Sequence, residues 1–92
     1  MVKCYAHAGS LESGDVLVHV APASDETLSV QIKSKVAPRF LNSMQSSVRE
    51  VAKELGIMYA AVEVVDSGAL DFVLRARVTT AIKRSMEATA DV

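Results

Sequence analysis

Residues 16–33 read VLVHVAPASDETLSVQIK, and this stretch decides the fold class. Its first six residues carry valine at every second position, and in its last six Leu28, Val30 and Ile32 alternate with polar residues. Alternation with a period of two is typical of strands that bury one face. Because a short connection with a polar turn at residues 24–26 separates the two runs, the pattern predicts a β-hairpin.

The hydrophobic period changes after this hairpin. Pro38 stands at the start of a segment whose apolar residues fall at helical spacing, and Gly56 follows its end. The spaced residues are Phe40, Met44, Val48, Val51 and Leu55. Proline early in a helix and glycine just past its end are typical of helix boundaries. The segment is therefore predicted to be an amphipathic helix of about five turns.

The second half of the chain matches the first at an offset of 42 positions, so that Leu28 aligns with Leu70 and Ile32 with Leu74. This register predicts a third strand over residues 58–65, a fourth over 70–78 and a closing helix from 79 to about 88. The hairpin turn between the last two strands is then Asp66-Ser67-Gly68.

The segment after this turn has a second interpretation, a single helix over residues 69–86, because it is rich in good helix formers. Alternation favours the strand, with one set of residues on one face: Phe72, Leu74, Ala76 and Val78. The predicted fold class is α+β, with two ββα units forming a four-stranded, mainly antiparallel sheet and both helices on one face. The uncovered face would carry a set of apolar and histidine residues suited to a partner: Leu17, His19, Ala21, Tyr59, Ala61, Val65 and Val73.

Length and composition limit what the chain can be. Its 92 residues suit one domain, divided into a mobile lead and loop (1–14) and two units (15–56 and 57–92). A net charge of −1 gives no electrostatic case for binding nucleic acid. The lone Cys4 and the lack of a long apolar stretch predict a cytoplasmic protein with no disulfide and no membrane span.

The run Glu12-Ser13-Gly14-Asp15 precedes the first strand and places one serine on an exposed turn. A nucleophilic serine needs a base within hydrogen-bonding reach, and its sequence neighbours here are carboxylates without a histidine. Ser13 is therefore interpreted as a residue that is acted upon. Without further information, these four residues would be an ordinary turn.

Two blocks of sequence, residues 9–16 (GSLESGDV) and 66–78 (DSGALDFVLRARV), resemble the acyl carrier (gamma) subunit of bacterial citrate lyase. The resemblance extends from about Ala8 to about Ser85. It implies that Ser13 carries a phosphoribosyl-dephospho-coenzyme A arm through a phosphodiester. Ser10 is the nearest rival, but it lacks the flanking Glu and Gly-Asp.

The resemblance also implies a role and partners. The chain would be a non-catalytic carrier of acetyl and citryl thioesters between an acyl-transferase (alpha) and a lyase (beta) subunit, and a prosthetic-group transferase would read Glu12, Gly14 and Asp15. Repulsion from Glu12 and Asp15 would push the arm outward. The alternatives are a carrier for a related complex such as malonate decarboxylase and a plain interaction module without a covalent cofactor.

Other polar residues give weaker signals. Lys33, Lys35, Arg75 and Arg77 would alternate along the second and fourth strands and could form a basic strip, although the sequence favours a solvated face. The two histidines and Cys4 are too few and too unevenly spaced for a zinc site. No motif in the sequence supports catalysis by this chain alone.

Overall fold

The structure is a computed structural model that describes residues 1–87. It contains, in order, β1 (Ala6–Gly9), β2 (Val16–Ala21), β3 (Leu28–Lys33), α1 (Pro38–Glu54), β4 (Ala60–Asp66) and α2 (Asp71–Met86). Neither of these two helices has the length and hydrophobicity that crossing a membrane requires. The tail of the predicted closing helix, from residue 88, lies outside the described residues.

The four strands form one mixed sheet in the order β1-β2-β4-β3. β2 pairs antiparallel with both β1 and β4, whereas β3 pairs parallel with β4. One face is lined by aliphatic side chains that both helices cover: Val16, Val18, Val20, Val30, Val62 and Val64. The predicted α+β class is thus confirmed, with four mainly antiparallel strands and two helices on one face.

The predicted hairpin between β2 and β3 is wrong, because β4 lies between these two strands. β4 has three fully buried residues, Ala60, Val62 and Val64, and it shares the interior of the sheet with β2, which also has three. β2 and β3 therefore lie two strand spacings apart, about 10 Å in total. The six residues 22–27 that join them are enough to cover this distance. They also lack the Asn-Gly type of turn that closes a tight hairpin.

The predicted fourth strand over residues 70–78 is also wrong, and the single-helix interpretation is the one that the structure adopts. α2 buries residues at helical spacing, namely Leu74, Val78, Ala81, Ile82 and Ser85. A strand would have buried Phe72 beside Leu74, but the Phe72 side chain is 69% exposed. The second unit is consequently βα, and the offset of 42 positions aligns a strand with a helix rather than two equivalent elements.

The strand that completes the sheet comes from the N-terminal segment, for which the sequence predicts only a mobile lead. β1 pairs with β2 from Ala6↔Val20 to Gly9↔Leu17, and Ala8 and Val2 are buried. Four residues are too few for their alternation to stand out in the sequence.

The uncovered face of the sheet carries most of the residues predicted for it. Leu17, Ala21, Ala61 and Val65 are half-buried there, and His19 is exposed across from His7, with ring centroids 5.7 Å apart. Two predicted members are elsewhere: Val73 packs against the core from α2, and Tyr59 lies just before β4.

Candidate functional site

The loop between β1 and β2, residues 10–15, projects from one end of the sheet. Gly9, the last residue of β1, precedes the loop, and its φ of +94° is a conformation that other residues rarely adopt. A Cβ at this position would lie 1.8 Å from the Val16 carbonyl oxygen. The same oxygen accepts a hydrogen bond from the Ser10 N–H at 3.2 Å, so the loop closes directly onto the start of β2.

Asp15 holds this loop in place through its carboxylate. Its carboxylate accepts hydrogen bonds from the Ser10 hydroxyl (2.7 Å), the Val16 N–H (2.7 Å) and two guanidinium nitrogens of Arg77 (3.0 and 3.1 Å). The Arg77 side chain, followed by the Ser10 and Val16 hydrogen bonds, lowers the pKa of Asp15 to about 2. The charge of Asp15 is thereby paired, which corrects the prediction that it would repel the arm together with Glu12.

Ser13 lies at the tip of the loop, exposed, and its hydroxyl has no hydrogen-bonding partner within residues 1–87. The Ser10 hydroxyl, in contrast, donates to Asp15 and accepts from the Glu12 N–H at 3.2 Å. The geometry thus separates two serines that lie three positions apart in sequence. Of the two, Ser13 is the one that presents a free hydroxyl to an approaching enzyme.

Gly14 has a φ of +83°, as its predicted turn conformation requires, and a Cβ there would meet no atom within 4 Å. The space beside Ser13 is therefore open to solvent on this side. The predicted role of Gly14 in allowing close approach to Ser13 fits this geometry and stays a prediction.

The two sequence blocks that lie far apart in the chain meet at this site. The Gly14 N–H donates to the Ser67 carbonyl at 2.7 Å, and the Ser67 N–H donates to the Asp15 carbonyl at 3.0 Å. The Ser67 hydroxyl donates to the Leu11 carbonyl at 3.1 Å. The turn predicted to join two strands instead joins β4 to α2 and supports the loop that carries Ser13.

A third segment, the connection from β3 to α1, joins the same end of the sheet. The Ser34 hydroxyl donates to Asp66 Oδ2 at 2.8 Å, while Asp66 Oδ1 accepts the Ala69 N–H at 2.9 Å. Asp66 thus holds this segment against the turn at residues 66–69. A groove of about 500 Å³ opens between the segment, the turn and the Ser13 loop.

The predicted basic strip is not formed. Lys33 ends β3, Lys35 lies in the following loop, and Arg75 and Arg77 lie on α2 rather than on a strand. Arg75 bridges Glu50 of α1 (2.6 Å) and Asp71 of its own helix (2.7 Å), and it therefore ties the two helices together. Glu12 is exposed beside Ser13, where it was predicted.

Within residues 1–87, no three His, Cys, Asp or Glu side chains come close enough together to hold a metal ion. Cys4 is half-buried, with its thiol 3.6 Å from the Ser85 carbonyl oxygen. No histidine or other base is hydrogen-bonded to Ser13 within residues 1–87, and the interpretation of Ser13 as a residue modified by another enzyme stays a prediction.

Sequence reasoning missed the structural roles of Ser10, Ser67 and Arg77. Arg77 lies 62 positions from Asp15, and no local pattern connects them. The available signal was that Arg77 belongs to the same block as Ser67, which suggested a shared site without giving the contact.

These features define a small domain whose outstanding site is an exposed serine on a rigidly supported loop. Residues 3–85 match a family of acyl carrier proteins described as "Malonate decarboxylase delta subunit (MdcD)".

Individual relatives are more specific. The chain is 41% identical to the citrate lyase acyl carrier protein of Streptococcus mutans over 94% of its own length and 84% of that protein. It is 49% identical to that of Haemophilus influenzae (91% and 86%) and 42% identical to that of Klebsiella pneumoniae (96% and 91%). The chain belongs to the family of citrate lyase acyl carrier proteins.

A solved structure supports the fold alone. A crystal structure of a protein from Thermus thermophilus superposes with a TM-score of 0.54 at 20% identity. The match covers 92% of this chain and 16% of that longer one. The same arrangement of strands and helices is therefore used within a much larger protein.

Proposed function

We propose that this chain is the acyl carrier subunit of a citrate lyase complex and that Ser13 is the point of attachment of its prosthetic arm. The observation that carries the proposal is the contrast between the two serines of the loop. The Ser10 hydroxyl is bonded to Asp15, whereas the Ser13 hydroxyl is exposed and unpartnered within the described residues. Membership of the acyl carrier family supports a covalent group on this loop.

The residues around Ser13 fit the proposed group, phosphoribosyl-dephospho-coenzyme A. A phosphodiester needs one serine oxygen and free space around it, and both are present at the Ser13–Gly14 turn. When bound, the arm supplies a terminal thiol that holds acyl groups as thioesters. Because Asp15 is paired with Arg77, Glu12 would be the carboxylate that repels the phosphodiester and keeps it from folding back onto the loop.

The chain itself would contribute a fixed anchor. Asp15, Arg77 and Ser67 hold the loop at both ends, so the serine stays at the surface while the arm moves. Tethering raises the effective concentration of the acyl group at each active site it can reach. The proposed active sites belong to the acyl-transferase (alpha) and lyase (beta) subunits, and all chemical steps would occur there.

Loading requires a prosthetic-group transferase, and the structure suggests what that enzyme would meet. Glu12 and Gly14 are exposed beside Ser13, whereas Asp15 is turned to Arg77. We assign direct recognition to Glu12 and Gly14 and give Asp15 the indirect role of fixing the shape of the turn.

Co-expression with a prosthetic-group transferase tests the attachment. Intact mass should show one adduct on the wild-type chain and on Ser10→Ala, and none on Ser13→Ala, with all three variants folded by circular dichroism. Peptide mapping should place the adduct on Ser13. An adduct on Ser10, or an unmodified wild-type chain under conditions that load a known family member, would refute the proposal.

The family description names malonate decarboxylase, which makes a carrier of that complex the second candidate. The citrate lyase relatives at 39–49% identity favour the first. Reconstitution of the loaded chain with the catalytic subunits of each enzyme distinguishes the two. Citrate cleavage with only the citrate lyase subunits is expected, and turnover of malonate with only the other set would reverse the assignment.

A further inference from the structure

A groove leads away from Ser13 along the end of the sheet. Its lining combines apolar, polar and charged side chains from all three segments that meet there, among them Leu11, Ser13, Ser34, Lys35, Asp66 and Ser67. Lys35 is exposed and forms no ion pair within residues 1–87. The groove therefore holds two charged side chains without a salt bridge in the described residues, the Lys35 ammonium and the Asp66 carboxylate, and Lys35 is the cation available to a phosphate near the proposed anchor.

A second hollow of about 210 Å³ adjoins the groove, between α1 and the start of α2. The two share Val36, Asp66 and Gly68 in their linings. The second hollow is more apolar, and its walls include Phe40, Met44, Ala69 and Leu74. Phe40 is 50% exposed, as the other three Phe and Tyr residues of the chain are exposed too, and it is the one that lines this hollow.

We propose that the groove and the adjoining hollow together form a docking site for the nucleotide portion of the arm carried by Ser13, an inference that rests on the proposed function. In this arrangement the Lys35 ammonium contacts a phosphate, and the serine hydroxyls contact sugar hydroxyls. The adenine base lies against Val36 and Phe40. The pantetheine end then extends from the groove with its thiol free.

The chemistry of the two hollows matches the order of groups along the arm. The phosphate and ribose are nearest to Ser13, where the lining is polar and includes Lys35, and the base comes later, where the lining is apolar and aromatic. Any nucleobase can stack on an aromatic side chain, because every base has a π-face. The guanidinium of Arg39 lies 4.9 Å from the Phe40 ring centroid and restrains the ring from one side.

The covalent tether is the reason to choose the arm over any other occupant. A group attached at Ser13 is present at the mouth of the groove at high effective concentration, so that even weak contacts would fill it. The Asp66 carboxylate accepts a hydrogen bond at each oxygen but forms no salt bridge within residues 1–87, so the phosphates of the arm would lie on the Lys35 side of the groove, away from it. Docking would fix the direction of the serine-linked end of the arm and leave its thiol end free to move.

Amide spectra of ¹⁵N-labelled carrier, before and after loading, test the proposal. Loading should shift the amides of residues 34–36, 40–44 and 66–69 as well as those next to Ser13. Phe40→Ala and Lys35→Ala should each remove most of the shifts in the groove while mass spectrometry still shows the full adduct. The matched controls are Phe72→Ala, which removes an exposed aromatic of α2 outside the groove, and Lys33→Ala at the end of β3.

The possible results separate the two proposals. A full adduct with shifts confined to residues 12–14 would show that the arm is free and would overturn the docking site, while the carrier function stands. A wild-type chain that never gains an adduct would refute the carrier function and the docking site with it. Equal loss of shifts in Phe72→Ala would also overturn the site, because the effect would not depend on the groove.

Discussion

At the scale of single residues, the site depends on which groups are already bonded. Ser10 and Ser13 have the same hydroxyl, yet only Ser10 is held by the Asp15 carboxylate. Asp15 is in turn held by Arg77 from α2. A bidentate pair of this kind fixes direction as well as distance. Asp15 is thus already bonded to Ser10 and Arg77, and the Ser13 hydroxyl stays exposed without a partner within residues 1–87.

The pKa of Asp15 gives a pH prediction. Bonding to Arg77, Ser10 and Val16 lowers it from 3.8 to about 2, so the pair stabilises the fold fully above pH 3.8 and loses its contribution as the pH falls through about 2. The difference in unfolding free energy between wild type and Asp15→Asn should be constant above pH 5 and shrink below about pH 4. Urea titrations across this range measure it. A difference that stayed constant down to pH 2 would mean that Asp15 is unpaired in solution.

At the scale of elements, the chain shows where local pattern is enough and where it is not. α1 could be predicted because five apolar residues keep helical spacing between Pro38 and Gly56. β2 and β3 could be placed from alternation and β4 from the match at an offset of 42 positions, but the order of the strands could not be predicted. The structure places β4 between β2 and β3, where it buries Ala60, Val62 and Val64, and alternation alone does not distinguish it from β2, which buries three residues as well.

α2 is the element whose sequence supported two structures. Over residues 72–78 alone, alternate residues are apolar, and a strand fits. Over the full sixteen residues of α2, the buried positions follow the helical repeat. The pattern over all sixteen residues was the better guide to the structure of this segment, because a strand of that length would be well beyond the usual range. The functional loop was located by the resemblance, whereas its support by Arg77 and Ser67 required the fold.

A pair of substitutions tests the assignment of α2. Leu74 is 1% exposed and Phe72 is 69% exposed, although a strand would place both on one face. Leu74→Asp should cost about 3–5 kcal/mol because it buries an unpaired charge. Phe72→Asp should change stability by no more than about 0.5 kcal/mol, helped by its place in the first turn of the helix. Thermal and urea unfolding give both values, and equal costs would favour the strand.

At the scale of the whole molecule, three segments distant in sequence build one end of the sheet. The loop at residues 10–15, the connection after β3 and the turn after β4 are joined by Ser34, Asp66 and Ser67. Arg77 fastens this end to α2. The shape that Ser13 presents is thus a product of the complete fold and not of the four residues around it.

This dependence predicts that the transferase loads only the folded chain. Val64 is 1% exposed at the centre of the sheet, whereas the adjacent Glu63 is exposed on the uncovered face. Val64→Asp should lose about 3–5 kcal/mol of stability, a large part of the total for a domain of this size, and with it most of the loading on Ser13. Glu63→Lys should fold and load like wild type. Circular dichroism and intact mass, measured on the same samples, relate the two properties. If an unfolded Val64→Asp chain gained its adduct at the wild-type rate, the transferase would be reading the local sequence around Ser13, and the support from Ser67 and Arg77 would have no part in recognition.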